Sequence, residues 1–287
     1  MLYLNITIAG LLTGAVYGLM ALGLSVIFGV IRVVNFAHGE MMVVGMYAAY
    51  LIAVKTGLDP IAALPLVTAG LFVLGYALQR GLINRYIARP EHEQFLLLLA
   101  IATIITASLL MGFGPDARNV QLDYAYDSFQ LGPLLLDKVR VIAAIGALLG
   151  VAALWAFFRL TRTGKAIRAC ADNQFGAEVV GLDVKRLYAV TFGLGAACVG
   201  AAGCLMLLLI DVQPYIATDY TLLAFVIVIL GGLGSMPGAL LGGVLIGLTE
   251  AMAGLLFSPS AKSMFAFGIL VLVLLFRPQG ILGRRLA

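Results

Sequence analysis

The sequence is poor in charge. Asp, Glu, Lys and Arg together make up 11% of its 287 residues, against a hydrophobic share of 62%. A soluble domain carries about a quarter charged residues, and more than half of a folded surface still faces its solvent. A chain with this little polar material cannot cover itself in water, and its mean hydropathy of +1.08 says the same. Histidine is also scarce, with two, and there are three cysteines. Cys170, Cys198 and Cys204 lack metal-ligand spacing and a nearby His, so an inert structural role is expected for each. Catalytic signatures are missing as well. Arg159 stands where a P-loop ending in Gly164-Lys165 needs its first glycine, and Ala166 replaces the Ser or Thr. His92-Glu93 is not followed by the second His of a zinc protease, and neither Ser25 nor Ser235 sits in a G-x-S-x-G elbow. These absences argue against an enzyme and against a metal, cofactor or nucleotide bound by this chain. The net charge of +4 is not gathered into the basic face that a nucleic acid would need.

What the chain has in quantity is long apolar runs. A helix needs roughly 20 apolar residues to cross about 30 Å of hydrocarbon. Such runs lie near 5–31, 37–54, 60–79, 94–113, 139–158, 189–210, 221–235, 238–256 and 264–276. The first has no basic region before it and no cleavage site after it, so it reads as a retained span rather than a leader. The seventh is short and is interrupted by Gly231, Gly232, Gly234 and Pro237, which predicts a broken or re-entrant helix. Backbone groups in lipid need internal partners, and no barrel-like alternation is visible. The fold class predicted is therefore all-α: a single polytopic transmembrane helical bundle over 1–287 with about eight or nine spans.

The connecting loops divide by charge. One set holds Arg32, Arg80, Arg85, Arg89, Arg159, Arg162, Lys165, Arg168, Lys185, Arg186, Arg277, Arg284 and Arg285; the other holds Lys55, Arg118, Lys138, Arg140 and Lys262. The positive-inside rule places the richer set in the cytoplasm, together with the C-terminus. The acidic residues Asp59, Asp116, Asp123, Asp127, Asp137, Asp211 and Asp219 then fall outside. An odd number of crossings puts the N-terminus outside too. The longest outer loop is 114–138 and the longest inner loop 159–188. Long loops in compact proteins are usually functional or disordered. The inner one has amphipathic spacing at Ala166, Ile167, Ala169 and Cys170, and again at Ala177, Val180 and Gly181, which predicts short helices at the membrane surface.

Three intramembrane features stand out. Asn35, His38, Gly39 and Met42 share one helical face at the start of the second span. Polar residues within a span default to a functional reading, whereas the structural alternative is a helix cap by Asn35 with His38 bonded between helices. Glu40 falls off this face and is expected to pair with a basic loop residue. The run Gly231-Gly232-Leu233-Gly234-Ser235 either presents backbone to a mid-membrane cavity or packs helices closely, and Gly242, Gly243 and Gly247 suit packing. Glu250 lies inside a span and is expected to find a structural partner near the outer interface.

Four stretches resemble branched-chain amino acid ABC-transporter permeases of the LivH type. They are GLLTGAVYGLMALGLSVIFGVIRVVNFAHGEMMVVGMYAAY, TRTGKAIRACADNQFGAEVVGLDVKRLYAVTFGLGAACVGAAGCL, AFVIVILGGLGSMPGALLGGVLIGLTEA and FRPQGILGRR. The resemblance leaves 114–138 as the least matched part. It implies a multi-pass protein of the bacterial inner membrane that imports leucine, isoleucine or valine by alternating access. Its implied partners are the lipid bilayer, a second related permease, two cytoplasmic ATPase subunits that use the ATP, and a periplasmic substrate-binding protein. It also implies that 159–188 docks the ATPases, with Gly164, Arg168, Ala177, Glu178 and Gly181 as docking candidates. Asn35, His38, Gly39, Gly231, Gly232, Gly234 and Ser235 are the translocation-path candidates, on an otherwise apolar path without a deep permanent charge. A urea or short-chain amide importer permease has a closely similar layout, and a passive channel is the reading of another class.

Overall fold

A computed structural model describes residues 2–131 and 134–283. Eleven α-helices follow in order: α1 (Leu2–Ile31), α2 (His38–Thr56), α3 (Pro60–Gly81), α4 (Glu91–Phe113), α5 (Lys138–Leu160), α6 (Arg162–Asp172), α7 (Gln174–Val179), α8 (Val184–Met206), α9 (Ile216–Gly231), α10 (Met236–Leu256) and α11 (Lys262–Phe276). Each apolar run read from the sequence is one of these helices. Six segments are long and apolar enough to cross a membrane: Leu2–Ile31, Pro60–Arg85, Glu91–Phe113, Lys138–Leu160, Val184–Met206 and Met236–Leu256. Ile216–Gly231 and Lys262–Phe276 are shorter apolar helices. The chain is thus an α-helical polytopic membrane bundle. The one departure among the described residues is a small antiparallel hairpin, β1 (Ser128–Leu131) with β2 (Leu134–Asp137), inside the loop 114–138.

Local sequence explains where the helices begin. Asp59 accepts a hydrogen bond from the Ile61 amide (2.7 Å) with Pro60 at the first helical position. Thr161 accepts from Gly164 (2.9 Å), Asp183 from Arg186 (3.0 Å) and Ser235 from Gly238 (3.2 Å). Each cap satisfies an amide that a helix start leaves without a partner.

The bundle is held by close packing of small residues, because lipid tails remove any hydrophobic drive between helices. The two most extensive contacts are α1 with α10 and α3 with α8, both antiparallel. A Cβ added at Gly14 of α1 would come within 2.7 Å of Val244 Cα and 2.8 Å of the Gly243 carbonyl oxygen on α10. On the other pair, a Cβ at Gly200 of α8 would come within 2.6 Å of Leu71 on α3. The neighbours repeat: α2 packs on α3 and α4 as α9 packs on α10 and α11. Ile27 and Gly23 of α1 meet Gly195 and Cys198 of α8, so those two helices run in opposite directions. The chain therefore uses one packing unit twice in inverted sense, a plan common in transporters. Helices α1 and α8 form the centre, 83% and 89% buried over their apolar windows, against 17% for α4 and 28% for α5.

Charge separates the two ends of the bundle. At one end Asn84 donates to the Lys185 carbonyl, Gly29 lies beside Gly234, and α6 folds under α5. This end carries the arginine-rich loops; Arg284 and Arg285 lie outside the described residues. At the other end Tyr124 donates to Asp59, and Arg118 pairs through its backbone with Val212. Burial and the Asp59 carboxylate push the Tyr124 hydroxyl's pKa up, so the loop 114–138 stays tied to the start of α3.

Two outcomes are expected. The native cysteines are buried, Tyr126 is 99% exposed at the acidic end and Phe175 is 76% exposed at the basic end. In intact cells a membrane-impermeant maleimide is expected to label Tyr126→Cys, and to label Phe175→Cys only after permeabilisation; labelling of both from one side contradicts the arrangement. Gly14→Leu is expected to lower stability in detergent by about 1–3 kcal/mol or to prevent accumulation, since the backbone of α10 cannot yield as a side chain can. An unchanged melting temperature contradicts the α1–α10 contact.

Candidate translocation site and docking surface

After Ile31 the helix stops. Arg32 has φ +59, the only positive φ of a non-glycine residue among those described. The Arg32 amide closes the last helical bond of α1, to the Phe28 carbonyl (3.0 Å), and residues 33–35 run without helical bonding; Val33 and Asn35 are buried, while Arg32 and Val34 are exposed. That alternation is the mark of extended chain. The Asn35 side-chain oxygen accepts from the Ala37 amide (3.1 Å), and its amide group faces the Met41 sulfur at 3.8 Å. Asn35 therefore turns the chain into α2 from two residues outside the helix. The cap position belongs to Ala37, not to Asn35.

The depth of this turn follows from its contacts. His38 Nε2 lies 2.9 Å from the Met20 carbonyl, and Met20 is eleven residues from the end of α1 at Ile31. At 1.5 Å per residue that is about 16 Å, half of a hydrocarbon layer of about 30 Å. A second ruler agrees. The Gly39 amide donates to Thr221 Oγ1 (2.8 Å), ten residues from the end of α9 at Gly231, or about 15 Å. The chain leaves α1 at the basic end, climbs back inside the bundle, and starts α2 half-way along it.

Of the four residues placed on one face by their spacing, Asn35 stays with its own turn and the other three go to three different helices. His38 reaches α1: Nε2 donates to the Met20 carbonyl, and Nδ1 has no protein partner. Gly39 meets α9, where an added Cβ would collide with the Ala217 carbonyl. Met42 meets Gly203 of α8. These residues form a junction, not one wall of a cavity, because residue 35 lies outside the helix and the three helices converge on α2 from different sides.

Glu40 also departs from its expected place. It is 5% exposed, and its Oε2 accepts from the Thr221 hydroxyl at 3.1 Å. No basic residue pairs with it among the described residues. A hydrogen bond to a charged group contributes about 1.5–3 kcal/mol, and a first-turn position on a helix about 0.3–1. Withdrawing a carboxylate from water costs several kcal/mol, so these contacts alone leave the charge under-compensated. The sequence held no signal of this, since its spacing showed only that Glu40 lies off the His38 face. Nearby lies an aromatic cluster: Phe36, in the turn before α2, sits 5.1 Å from Phe225 of α9 and 4.6 Å from Phe95 of α4 between ring centroids.

The glycine-rich segment lies elsewhere. Gly231 ends α9, Gly232 (φ +104) and Gly234 (φ +77) form a tight turn, and Ser235 caps α10. Gly234 adjoins Gly29 near the end of α1, and the amides of Ile281 and Leu282 bond to the carbonyls of Leu230 and Gly231. This break is at the basic end, roofed by residues 277–283, so the mid-depth interruption expected here is found instead at 32–37. The expected partner of Glu250 is Tyr17, whose hydroxyl donates to it at 3.0 Å, with Tyr220 edge-on to the Tyr17 ring.

At the basic end α6 and α7 lie across the bundle. On α6, Gly164, Ile167 and Cys170 are buried while Arg162, Lys165 and Arg168 are exposed. Gly164 packs against the α5 backbone at Phe157 and Phe158 and leaves no surface for a partner. Burial pushes the Cys170 thiol's pKa up, which suits an inert role. On α7, Ala177 is buried, Glu178 is exposed, and Gly181 follows at φ +85. The residues that project are Phe175 (76% exposed), Val179 (69%) and Val180 (75%), none of them a docking candidate and only Val180 part of the amphipathic pattern.

Comparison with known proteins fits this architecture. Residues 6–274 match the family described as branched-chain amino acid transport system / permease component. The chain is 31% identical to the high-affinity branched-chain amino acid transport system permease protein BraD of Pseudomonas aeruginosa, over 98% of this chain and 96% of the relative. It is 32% identical to the permease protein LivH of Escherichia coli K12, over 96% and 94%. It is also 29% identical to LivM of that organism, over 93% of this chain and 68% of the relative. No solved structure matches. A helical bundle with an inverted repeat, an irregular segment at mid-depth and kinship along nearly its whole length mark this chain as a member of the branched-chain amino acid transport permease family.

Proposed function

We propose that the chain is a membrane-spanning permease subunit of an ATP-driven importer that moves leucine, isoleucine and valine from periplasm to cytoplasm. The observation that carries this reading is the match to permeases of named branched-chain amino acid systems over residues 6–274. The reading takes the chain as one permease domain in the bacterial inner membrane, crossing it nine times through α1–α5 and α8–α11, with the N-terminus outside. Similarity to both LivH and LivM, two permease proteins named for a branched-chain system in one organism, supports pairing with a second, related permease.

The shape of the basic end supports a docking partner there. An exposed apolar knob of Phe175, Val179 and Val180 beside Arg168 and Glu178 suits a protein surface better than water. Two cytoplasmic ATPase subunits would grip it, and they supply the nucleotide chemistry for which this chain has no motif. A periplasmic binding protein would deliver substrate at the acidic end. In alternating access, closure of the ATPases pulls α6 and α7, and the two inverted units rock about the α1–α8 centre. Asn35, His38 and Gly39 then act as the mid-depth junction that keeps α2 tied to α1 and α9. The turn at Gly231, Gly232, Gly234 and Ser235 forms part of the inner mouth.

The test is reconstitution. The chain, assembled with a second permease, the ATPases and a binding protein in proteoliposomes, is expected to accumulate leucine only with ATP; uptake without ATP contradicts an importer. Phe175→Glu together with Val179→Glu is expected to cut ATP-dependent uptake about tenfold or more while membrane insertion persists, because charged groups then face an apolar socket. Uptake at the original rate removes α7 from the docking surface.

A further inference from the structure

Glu40 is the one buried carboxylate among the described residues. The other acid deep in a helical span, Glu250, receives the Tyr17 hydroxyl and has Lys262 in its field. Glu40 has the Thr221 hydroxyl and no cation. It stands at half depth, where the backbone of 32–37 is irregular, and such irregular chain at membrane depth is tolerated where protein encloses it or a path runs past it. An ionisable group in that position, without a counter-charge of its own, either keeps its proton or takes a cation from outside the chain.

The surroundings narrow down what brings the charge. Phe36 stands in the turn before α2, and its ring lies 5.1 Å from that of Phe225, one turn of α9 beyond Thr221, so an aromatic rung of Phe36 and Phe225 adjoins the polar rung of Glu40 and Thr221. Phe95 of α4 closes the aromatic rung from the side. Helix α4 buries only Leu98, Ile101, Ala102 and Leu109 of its length, and is the most weakly held of the long apolar helices. It is the wall that can move. An acceptor of positive charge beside an apolar patch, about one helical turn apart, matches a small molecule with an ammonium group and a short aliphatic side chain.

We infer that Glu40 binds the α-ammonium group of the amino acid in transit, with Phe36, Phe95 and Phe225 receiving its side chain. This rests on the transport reading above and adds the residue at which a zwitterion is told from an uncharged or anionic analogue. The carboxylate is reached when α4 swings from Phe36. The arriving ammonium supplies the missing counter-charge while Thr221 holds the carboxylate in place.

The experiment uses the whole reconstituted transporter. Glu40→Gln is expected to lower leucine uptake about tenfold or more, the loss of one charge-assisted contact, while ATP hydrolysis stimulated by the loaded binding protein is retained. Glu40→Asp, which keeps the charge, is expected to recover part of the uptake. Leucine uptake by Glu40→Gln at the original rate overturns the inference. Should Glu40→Gln fail to assemble, the unaltered transporter is irradiated with a leucine analogue bearing a diazirine in its side chain. Adducts at Phe36, Glu40 or Phe225 are expected, and adducts confined to other helices overturn the assignment. Absence of leucine uptake by the unaltered transporter would instead remove the transport reading itself.

Discussion

A helix that begins in the middle of a membrane bundle exposes amide groups where no water can take them, and the structure around residues 35–41 is shaped by that constraint. Three amides at the start of α2 have an answer within the chain. Asn35 takes Ala37, Thr221 of α9 takes Gly39, and the Ala37 carbonyl takes Met41. The traffic runs the other way at His38, whose ring donates to a carbonyl of α1. Satisfying these groups fixes the distances between α1, α2 and α9, and those distances demand glycine at position 39 and small residues wherever α1 and α8 are approached.

That junction sets how the rest can move. The inverted units share a dense centre of α1 and α8, joined by glycine contacts that leave little room for sliding. The peripheral helices α4 and α5 bury little of themselves. Force applied to α6 and α7 at the basic end reaches the centre through Gly164, packed on the end of α5, and Cys170, buried between α6 and the bundle. A rigid middle with loosely held walls suits a protein that must open to one side and then the other.

Much of this was legible in the sequence. Apolar runs marked the spans because crossing hydrocarbon needs length and hydrophobicity, both local properties. The charge of the loops marked the two ends for the same reason. Glycines at 242, 243 and 247 declared close packing, though not which helices meet. The break was misplaced. Gly231, Gly232 and Gly234 announce an interruption by composition, but composition carries no depth, and they form a turn at the basic end. The interruption at 32–37 is built from Arg, Val, Val, Asn, Phe and Ala, none of which forbids helix; the long reach of α1 and the contacts of Asn35 and His38 decide it. Glu40 was hidden because its partner, Thr221, is 181 residues away. Ala177, noted by spacing, and Gly164, named through the resemblance, face inward, and Phe175 with Val179 took the outward place on α7.

The most direct measurement is a cryo-electron microscopy structure of the assembled permease in a lipid nanodisc. Density for residues 33–36 should run without helical bonding and α2 should begin level with Met20, near the centre of the disc, with the Glu40 side chain against Thr221. A continuous helix through residues 32–37, or an α2 that starts at the inner face of the lipid, would contradict the account.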